Sequence, residues 1–94
     1  GGLCYVRFDV DVDGHTTNLR TTCSELIFCS VSEQAMSRVL FAPKIIGGEP
    51  VERFDVVYPL DYRLEYEDST TGEYVVAKAP DNAEQLNCKP IAVS

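Results

Sequence analysis

The sequence predicts a small α+β domain whose antiparallel sheet has β-β-α-β order, with one helix packed on one face of the sheet. Three patterns in the 94 residues indicate this fold: an alternating stretch with a turn in its middle, a stretch with helical spacing, and a second alternating stretch. The predicted domain covers residues 3–66. Residues 67–94 form a C-terminal extension that is tethered by a disulfide and could add one further short strand.

The first alternating stretch predicts a β-hairpin. In residues 3–12, one face carries the apolar residues Cys4, Val6, Phe8, Val10 and Val12. Asp13-Gly14 follows, and this pair is typical of a tight turn because glycine accepts a positive φ. A second strand is predicted over residues 15–22. Its inward set is Thr17, Leu19, Thr21 and Cys23.

The four cysteines, at positions 4, 23, 29 and 88, predict two disulfides and an oxidising compartment. A two-residue hairpin loop would place Cys4 opposite Cys23, within reach of a disulfide. A three-residue loop with a bulge would shift that register by one residue. By elimination Cys88 then pairs with Cys29, although four cysteines allow three pairings. Zinc is disfavoured because Cys23 and Cys29 are too widely spaced for a CxxC-type pair.

The helix is predicted to begin at Ser30-Val31-Ser32-Glu33, which has the S-x-x-E form of a capping box. Its buried stripe is predicted to contain Val31, Ala35 and Val39, with Met36 and Leu40 beside it. Pro43 ends the helix, because the residue before a proline disfavours the α region. Gly47-Gly48-Glu49-Pro50 then predicts a turn.

Residues 51–66 predict one long strand. The even-numbered residues form its core face: Val56, Tyr58, Leu60, Tyr62 and Leu64. Pro59 has no backbone N–H, so the strand is predicted to lie at a sheet edge or to be bulged there. Residues 67–72 are turn-forming, residues 73–78 could form a short strand, and the chain from Ala79 onwards is predicted to be irregular.

The charge of the chain argues against two classes of partner. With 15 acidic and 8 basic residues the net charge is −7, which repels nucleic acid and anionic membrane surfaces. Asp9, Asp11 and Asp13 resemble the start of a calcium loop, but the glutamate that such a loop needs is missing. His15 has no nucleophile or carboxylate placed for a triad. We therefore expect no metal, no cofactor, no catalytic residue and no enzymatic activity.

Three motifs in sequence order resemble the C-terminal domain of TonB-type energy transducers. YVRFDVDVDGHTTNLR, residues 5–20, is similar to the opening hairpin of that family. AMSRVLFAPK, residues 35–44, is similar to its helix end, with Val39 where the family often has tryptophan. GEPVERFDVVYPLDYRLE, residues 48–65, is similar to its last turn and strand. The resemblance covers about two-thirds of the chain and leaves out the cysteines and the C-terminal extension.

The resemblance implies a periplasmic module that is anchored to the inner membrane in the full-length protein. Such modules reach motor proteins in the inner membrane through a region before residue 1. They bind an extended TonB-box-like segment of an outer-membrane receptor by strand addition. The implied docking edge consists of Arg53, Asp55, Val57, Tyr58, Pro59, Asp61 and Tyr62.

The alternative is a structural or assembly domain of the cell envelope that uses the same fold. In that case the edge strand would be covered, either by residues 73–78 or by a homodimer partner, because proteins rarely leave a long strand edge bare. The surroundings of the last strand therefore discriminate between the two hypotheses.

Overall fold

The structure, a computed structural model, describes residues 1–88. Within this range the chain forms one α-helix and eight strands, all paired antiparallel. The strands are β1 (Gly2–Val10), β2 (Thr16–Cys23), β3 (Lys44–Ile46), β4 (Glu49–Val51), β5 (Arg53–Tyr62), β6 (Leu64–Glu67), β7 (Tyr74–Ala77) and β8 (Leu86–Asn87). The helix α1 (Cys29–Ser37) follows a single 3₁₀ turn, Leu26–Phe28. The predicted α+β class is therefore confirmed.

The main sheet has the strand order β5-β1-β2-β8, with β1 in its centre. Two further hairpins, β3-β4 and β6-β7, form separate two-stranded sheets. The first of them lies between the helix and β5 in the chain, which the β-β-α-β prediction did not include. None of the helices in residues 1–88 is both long enough and apolar enough to cross a membrane.

The opening hairpin has the predicted register at one end and a shifted register at the other. Cys4 opposes Cys23 as predicted, but a bulge on β2 shifts the pairing by one residue before Asp9 opposes Thr17. Asn18 forms this bulge with a φ of 52°. The bulge accommodates a longer loop, which Asp11 and His15 close with a backbone hydrogen bond of 2.9 Å.

The bulge also reverses which side chains of β2 face inward near the turn. Thr21 and Cys23 are buried and Leu19 is half-buried, as predicted, but Thr17 is exposed. Thr16 takes the inward position and donates a hydrogen bond to the Met36 carbonyl oxygen, at 2.8 Å. The prediction for Thr17 is wrong because strict alternation cannot continue through an extra residue.

The helix begins and faces differently from the prediction. It begins at Cys29 after the 3₁₀ turn, and no side chain caps its N-terminus, so the capping box at Ser30 is not formed. It ends at Ser37, well before Pro43. The buried residues are Ser32 and Met36, whereas Val31 and Ala35 are exposed. Two tethers account for this orientation, the Cys29–Cys88 disulfide and a 2.8 Å hydrogen bond between the Ser32 and Tyr62 hydroxyls.

The core lies between β1 and the helix. Its buried side chains are Val6, Phe8, Val10 and Met36. Leu19, Val39, Phe41, Val56 and Leu60 pack around them. Val12 and Leu40, which the apolar pattern placed beside the core, are exposed because they lie in the loops after β1 and α1.

The predicted long strand over residues 51–66 is divided into three strands. Val51 belongs to β4, whose hairpin turns at Gly47-Gly48 with φ values of 59° and 81°. The predicted turn is therefore confirmed for the two glycines, but Glu49 and Pro50 already belong to β4. Leu64–Glu67 leaves the main sheet and pairs with β7. Leu64 is therefore exposed and does not belong to the core face. Residues 73–78 do contain a strand, but it pairs with β6 and does not cover β5.

The extension after this hairpin returns to the main sheet. β8 pairs with β2 through Thr22–Asn87 and Cys23–Leu86, a strand that the sequence pattern did not indicate. The two predicted disulfides are both formed, with Cα–Cα distances of 4.0 Å for Cys4–Cys23 and 5.6 Å for Cys29–Cys88. The second bond holds the end of the described chain against the start of the helix.

Candidate strand-binding edge

The strand β5 has an open edge. In residues 1–88 it pairs only with β1, whereas β8 covers the Thr22–Cys23 end of the opposite edge of the sheet, on β2. An edge strand presents unpaired N–H and C=O groups to which another extended chain can bind. β5 is the longest strand of the described chain and pairs on one side only, so it offers the longest open edge for recognition by strand pairing.

The register identifies which backbone groups of β5 face this edge. The Leu3 carbonyl oxygen accepts a hydrogen bond from the Ser24 N–H, at 2.9 Å, so Leu3 faces the β2 side of β1. Successive residues of a strand face opposite sides, so Cys4, Val6 and Phe8 face β5. Their partners on β5 are Leu60, Tyr58 and Val56. The backbone groups of Val57, Pro59 and Asp61 therefore point outwards.

Pro59 lies where a missing N–H costs the sheet nothing. It opposes Tyr5 in a pair that does not exchange hydrogen bonds, so its lack of a donor falls on the open side. Within residues 1–88 β5 is an edge strand, as Pro59 predicted. A strand added to β5 would find donors at Val57 and Asp61 and only an acceptor at Pro59.

A second bulge ends the regular part of the edge. Asp55 has a φ of 54°, and the register between β1 and β5 shifts at this point. The Asp55 N–H donates to the Asp9 carboxylate at 3.0 Å, and the Asn18 amide donates to the same carboxylate at 3.3 Å. Asp9 therefore ties together the two bulges that flank β1. Arg7 adds an ion pair with Asp55, at 3.2 Å.

The hydrogen bond from the Asp55 backbone N–H lowers the pKa of Asp9, and Asn18 and Arg20 lower it further, while desolvation opposes them. A carboxyl group whose pKa is lower in the folded state stabilises the fold above its unfolded pKa of about 3.9. We expect this stabilisation to be lost as the pH falls through the folded pKa. Urea unfolding at a series of pH values, comparing the natural chain with Asp9→Asn, measures it. The two curves should converge towards acid pH, and a difference that does not depend on pH would contradict the assignment.

Tyr62 anchors the other end of the strand. Its ring stacks on Phe28 with a centroid distance of 4.6 Å, and its hydroxyl shares the hydrogen bond with Ser32, which is fully buried. Asp61 pairs with Arg63 at 3.0 Å, where the chain leaves the sheet. Both ends of the open edge are therefore fixed by side-chain contacts.

The seven predicted docking residues all lie on β5, but they do not share one role. Val57 and Tyr58 are 42% and 45% exposed and are accessible to a partner. Arg53 covers the Phe41 ring at 5.6 Å and donates to the Ala42 carbonyl oxygen, so it packs within the domain, as does Tyr62. The structure thus separates solvent-accessible positions of the strand from positions that hold it in place.

A groove beside the edge was not predicted. It has a volume of about 290 Å³ and lies between β5 and the end of the helix. Its lining residues are Ala35, Met36, Val39, Phe41, Tyr58 and Leu60. The sequence assigned Tyr58 to both the core face and the docking edge and Leu60 to the core face alone, and neither assignment indicated a groove beside the end of the helix. A larger cavity of about 780 Å³ lies beside the helix at the β2 edge of the sheet, where Leu19, Gln34 and Cys88 line it, and does not adjoin β5.

Two clusters of potential metal ligands have structural roles. Cys23, Cys29 and Cys88 lie close together because the two disulfides are neighbours. Asp11, Asp13 and His15 form the second cluster. There the Asp11 carboxylate accepts the backbone N–H groups of Asp13 and His15, at 3.0 and 2.9 Å, and so closes the hairpin loop.

Comparison with known proteins gives no match to a family model, to a curated protein or to a solved structure. The similarity to TonB C-terminal domains therefore rests on the sequence motifs. The functional argument rests on the geometry of β5 and of the groove beside it.

Proposed function

We propose that this domain binds an extended peptide by adding it as a strand to the open edge of β5. The observation that carries the proposal is the single-sided pairing of β5, which leaves the outward groups of Val57, Pro59 and Asp61 without a strand partner in residues 1–88. Backbone hydrogen bonds supply affinity in this mode, and side-chain pockets supply selectivity. The role is that of a binding module, without catalysis.

The edge suits a short peptide segment. β5 has 10 residues, which span about 33 Å at the rise of an extended chain. The bulge at Asp55 and the proline at position 59 interrupt the ladder, so a partner must adapt to those two points. Interruptions of this kind protect an edge from unselective pairing while leaving room for a matched strand.

The sequence motifs supply the biological setting of the proposal. As in TonB-type transducers, the peptide would be a TonB-box-like segment of an outer-membrane receptor, and the domain would work in the periplasm. A region before residue 1 would anchor it to the inner membrane and reach the motor proteins there. Two disulfides are compatible with an oxidising compartment.

The test is a nuclear magnetic resonance titration with nine-residue peptides from the periplasmic N-termini of outer-membrane transporters. We expect a binding peptide to shift the amide signals of Val57 and Asp61 and of their neighbours on β5. Two forms of the binding peptide, each methylated on the backbone nitrogens of one alternate set of residues, then identify which edge of the peptide pairs with β5. Methylation of the alternate residues that face β5 should weaken binding at least about 10-fold, because each lost hydrogen bond is worth about 1 kcal/mol.

Methylation of the other alternate set is the matched control and should leave affinity unchanged, since those N–H groups face away from β5. Equal loss with both sets, or no shift in residues 53–62 with any peptide, would contradict strand addition.

Homodimer formation is the second candidate. It is favoured by the accessible apolar side chains of Phe54 and Val57 on a strand with one open edge, because a second copy of β5 could pair with the first. Light scattering over a range of concentrations distinguishes the two. A dimer that peptides do not dissociate would replace the peptide-binding proposal with a structural or assembly role in the cell envelope.

A further inference from the structure

We infer that the groove between α1 and β5 is a specificity pocket for one uncharged apolar side chain, such as leucine or phenylalanine, of a peptide strand added to β5. The inference rests on the proposed function and names the chemistry that the edge selects. It also assigns a role to Ala35, Met36, Val39 and Phe41, none of which lies on β5.

The groove is placed where a strand on β5 would reach it. Tyr58 and Leu60 line one side of it, and both project from β5 to the same face as the helix. Directly opposed residues of neighbouring strands place their side chains on the same face. A peptide residue opposite Tyr58 or Leu60 therefore projects towards the helix, about 4.8 Å beyond β5, and into the groove.

The lining selects an apolar occupant. All six lining side chains are uncharged, and the Tyr58 hydroxyl is the one polar side-chain group among them. Met36 is 3% exposed and belongs to the core of the domain, so the groove opens onto the packed interior. A polar or charged group placed there would lose its hydration without a matched partner. The outer face of the edge differs, because the exposed ion pairs of Asp55 with Arg7 and of Asp61 with Arg63 lie there.

This difference between the faces predicts a sequence pattern in the peptide. The residue that enters the groove is apolar, and its neighbours, which project to the outer face, are neutral or basic. The net charge of −7 on the domain favours the same choice. An acidic peptide would be disfavoured by the apolar groove and by the net charge of the domain.

The test uses a host peptide, Thr-Lys-Thr-Lys-X-Lys-Thr-Lys-Thr, blocked at both ends, with Leu, Phe, Ala or Asn at X. Threonine favours strand conformation, and asparagine has nearly the shape of leucine without its apolar character. We expect the Leu peptide to bind at least about 10-fold more tightly than the Asn peptide, with the Ala peptide between them. Amide shifts in residues 53–62 report whether the peptide is on β5 in each case.

Two variants on the helix localise the effect. Ala35→Phe fills the groove from an exposed position, so it should lower the preference for Leu over Asn without removing a core side chain. Val31→Phe, one turn earlier at a position that is 48% exposed and does not line the groove, is the matched control and should retain the preference.

The outcomes separate the two proposals. Shifts on β5 with equal affinity for the Leu and Asn peptides would overturn the pocket and leave strand addition intact. Absence of shifts on β5 with every peptide would overturn both. The comparison of the Leu and Asn peptides uses the unaltered chain, so it tests the pocket even if Ala35→Phe fails to fold.

Discussion

Removal of the Cys29–Cys88 disulfide by a double substitution to serine is expected to destabilise the domain by about 4 kcal/mol, from the chain entropy of the closed loop. The two cysteines are 59 residues apart, so the bond constrains a large part of the unfolded chain. The measurement is the free energy of unfolding in urea, with the natural chain and the variant under the same non-reducing conditions.

The Cys4–Cys23 bond provides the comparison. Its sequence separation is 19 residues, so its removal is expected to cost about 3 kcal/mol, less than the longer bond. If the shorter bond proves the more stabilising, loop length does not determine the effect, and strain or packing at Cys29 must be considered.

The same variant tests where peptides bind. Cys29–Cys88 holds β8 near β2, at the sheet edge opposite β5. A variant without this bond that is still folded should therefore retain peptide binding on β5. Loss of peptide binding by the folded variant would indicate that the C-terminal extension, and not β5, forms the site.

The opening hairpin shows what the sequence predicts well. Period-two alternation and the parity of opposed residues led to the Cys4–Cys23 pair, because both depend on local backbone geometry. A longer loop with a bulge was the alternative to the two-residue turn, but its position at Asn18 was not predicted, although asparagine is one of the few residues that readily adopts a positive φ. Asp55 carries the same signal on β5. Both bulges contact Asp9 on β1, so their positions depend on how β1, β2 and β5 are aligned. The sequence of one strand does not contain that alignment.

The helix shows where local patterns mislead. Ser30 and Glu33 satisfy a capping-box pattern, and Val31, Ala35 and Val39 have helical spacing, yet tertiary tethers at Cys29 and Ser32 determine the start and the face. A polar residue such as Ser32 enters the interior only because Tyr62, 30 residues away, supplies its hydrogen bond. No pattern within the helix contains that information.

The candidate site was predictable in part. Pro59 indicated an edge strand because its missing donor is a local property. The free edge itself depends on where β7 and β8 pair, and the weak pattern after Ala79 did not indicate β8. The groove needs the end of the helix beside Tyr58 and Leu60, and such a contact between distant segments has no sequence signature.

Phe8→Ala is expected to destabilise the domain by about 3–5 kcal/mol, the usual cost of removing a buried phenylalanine. Phe8 is fully buried, lies in the cluster with Val6, Val10 and Met36, and stacks with Phe41 at a centroid distance of 5.5 Å. Truncation leaves a cavity between the sheet and the helix. Urea unfolding monitored by far-ultraviolet circular dichroism gives the change in the free energy of unfolding.

Phe54→Ala is the matched control, because Phe54 is on β5 but is 70% exposed where the bulge at Asp55 turns it away from the core. It should change the free energy of unfolding by no more than about 0.5 kcal/mol. Because Phe8 opposes Val56 across β1 and β5, its loss should also loosen the pairing that presents the open edge. Peptide affinity should therefore fall with Phe8→Ala even at temperatures where the variant remains folded. If Phe54→Ala destabilises the domain as strongly as Phe8→Ala, Phe54 contributes to a packed interface, and a second copy on β5 becomes the better account of that edge.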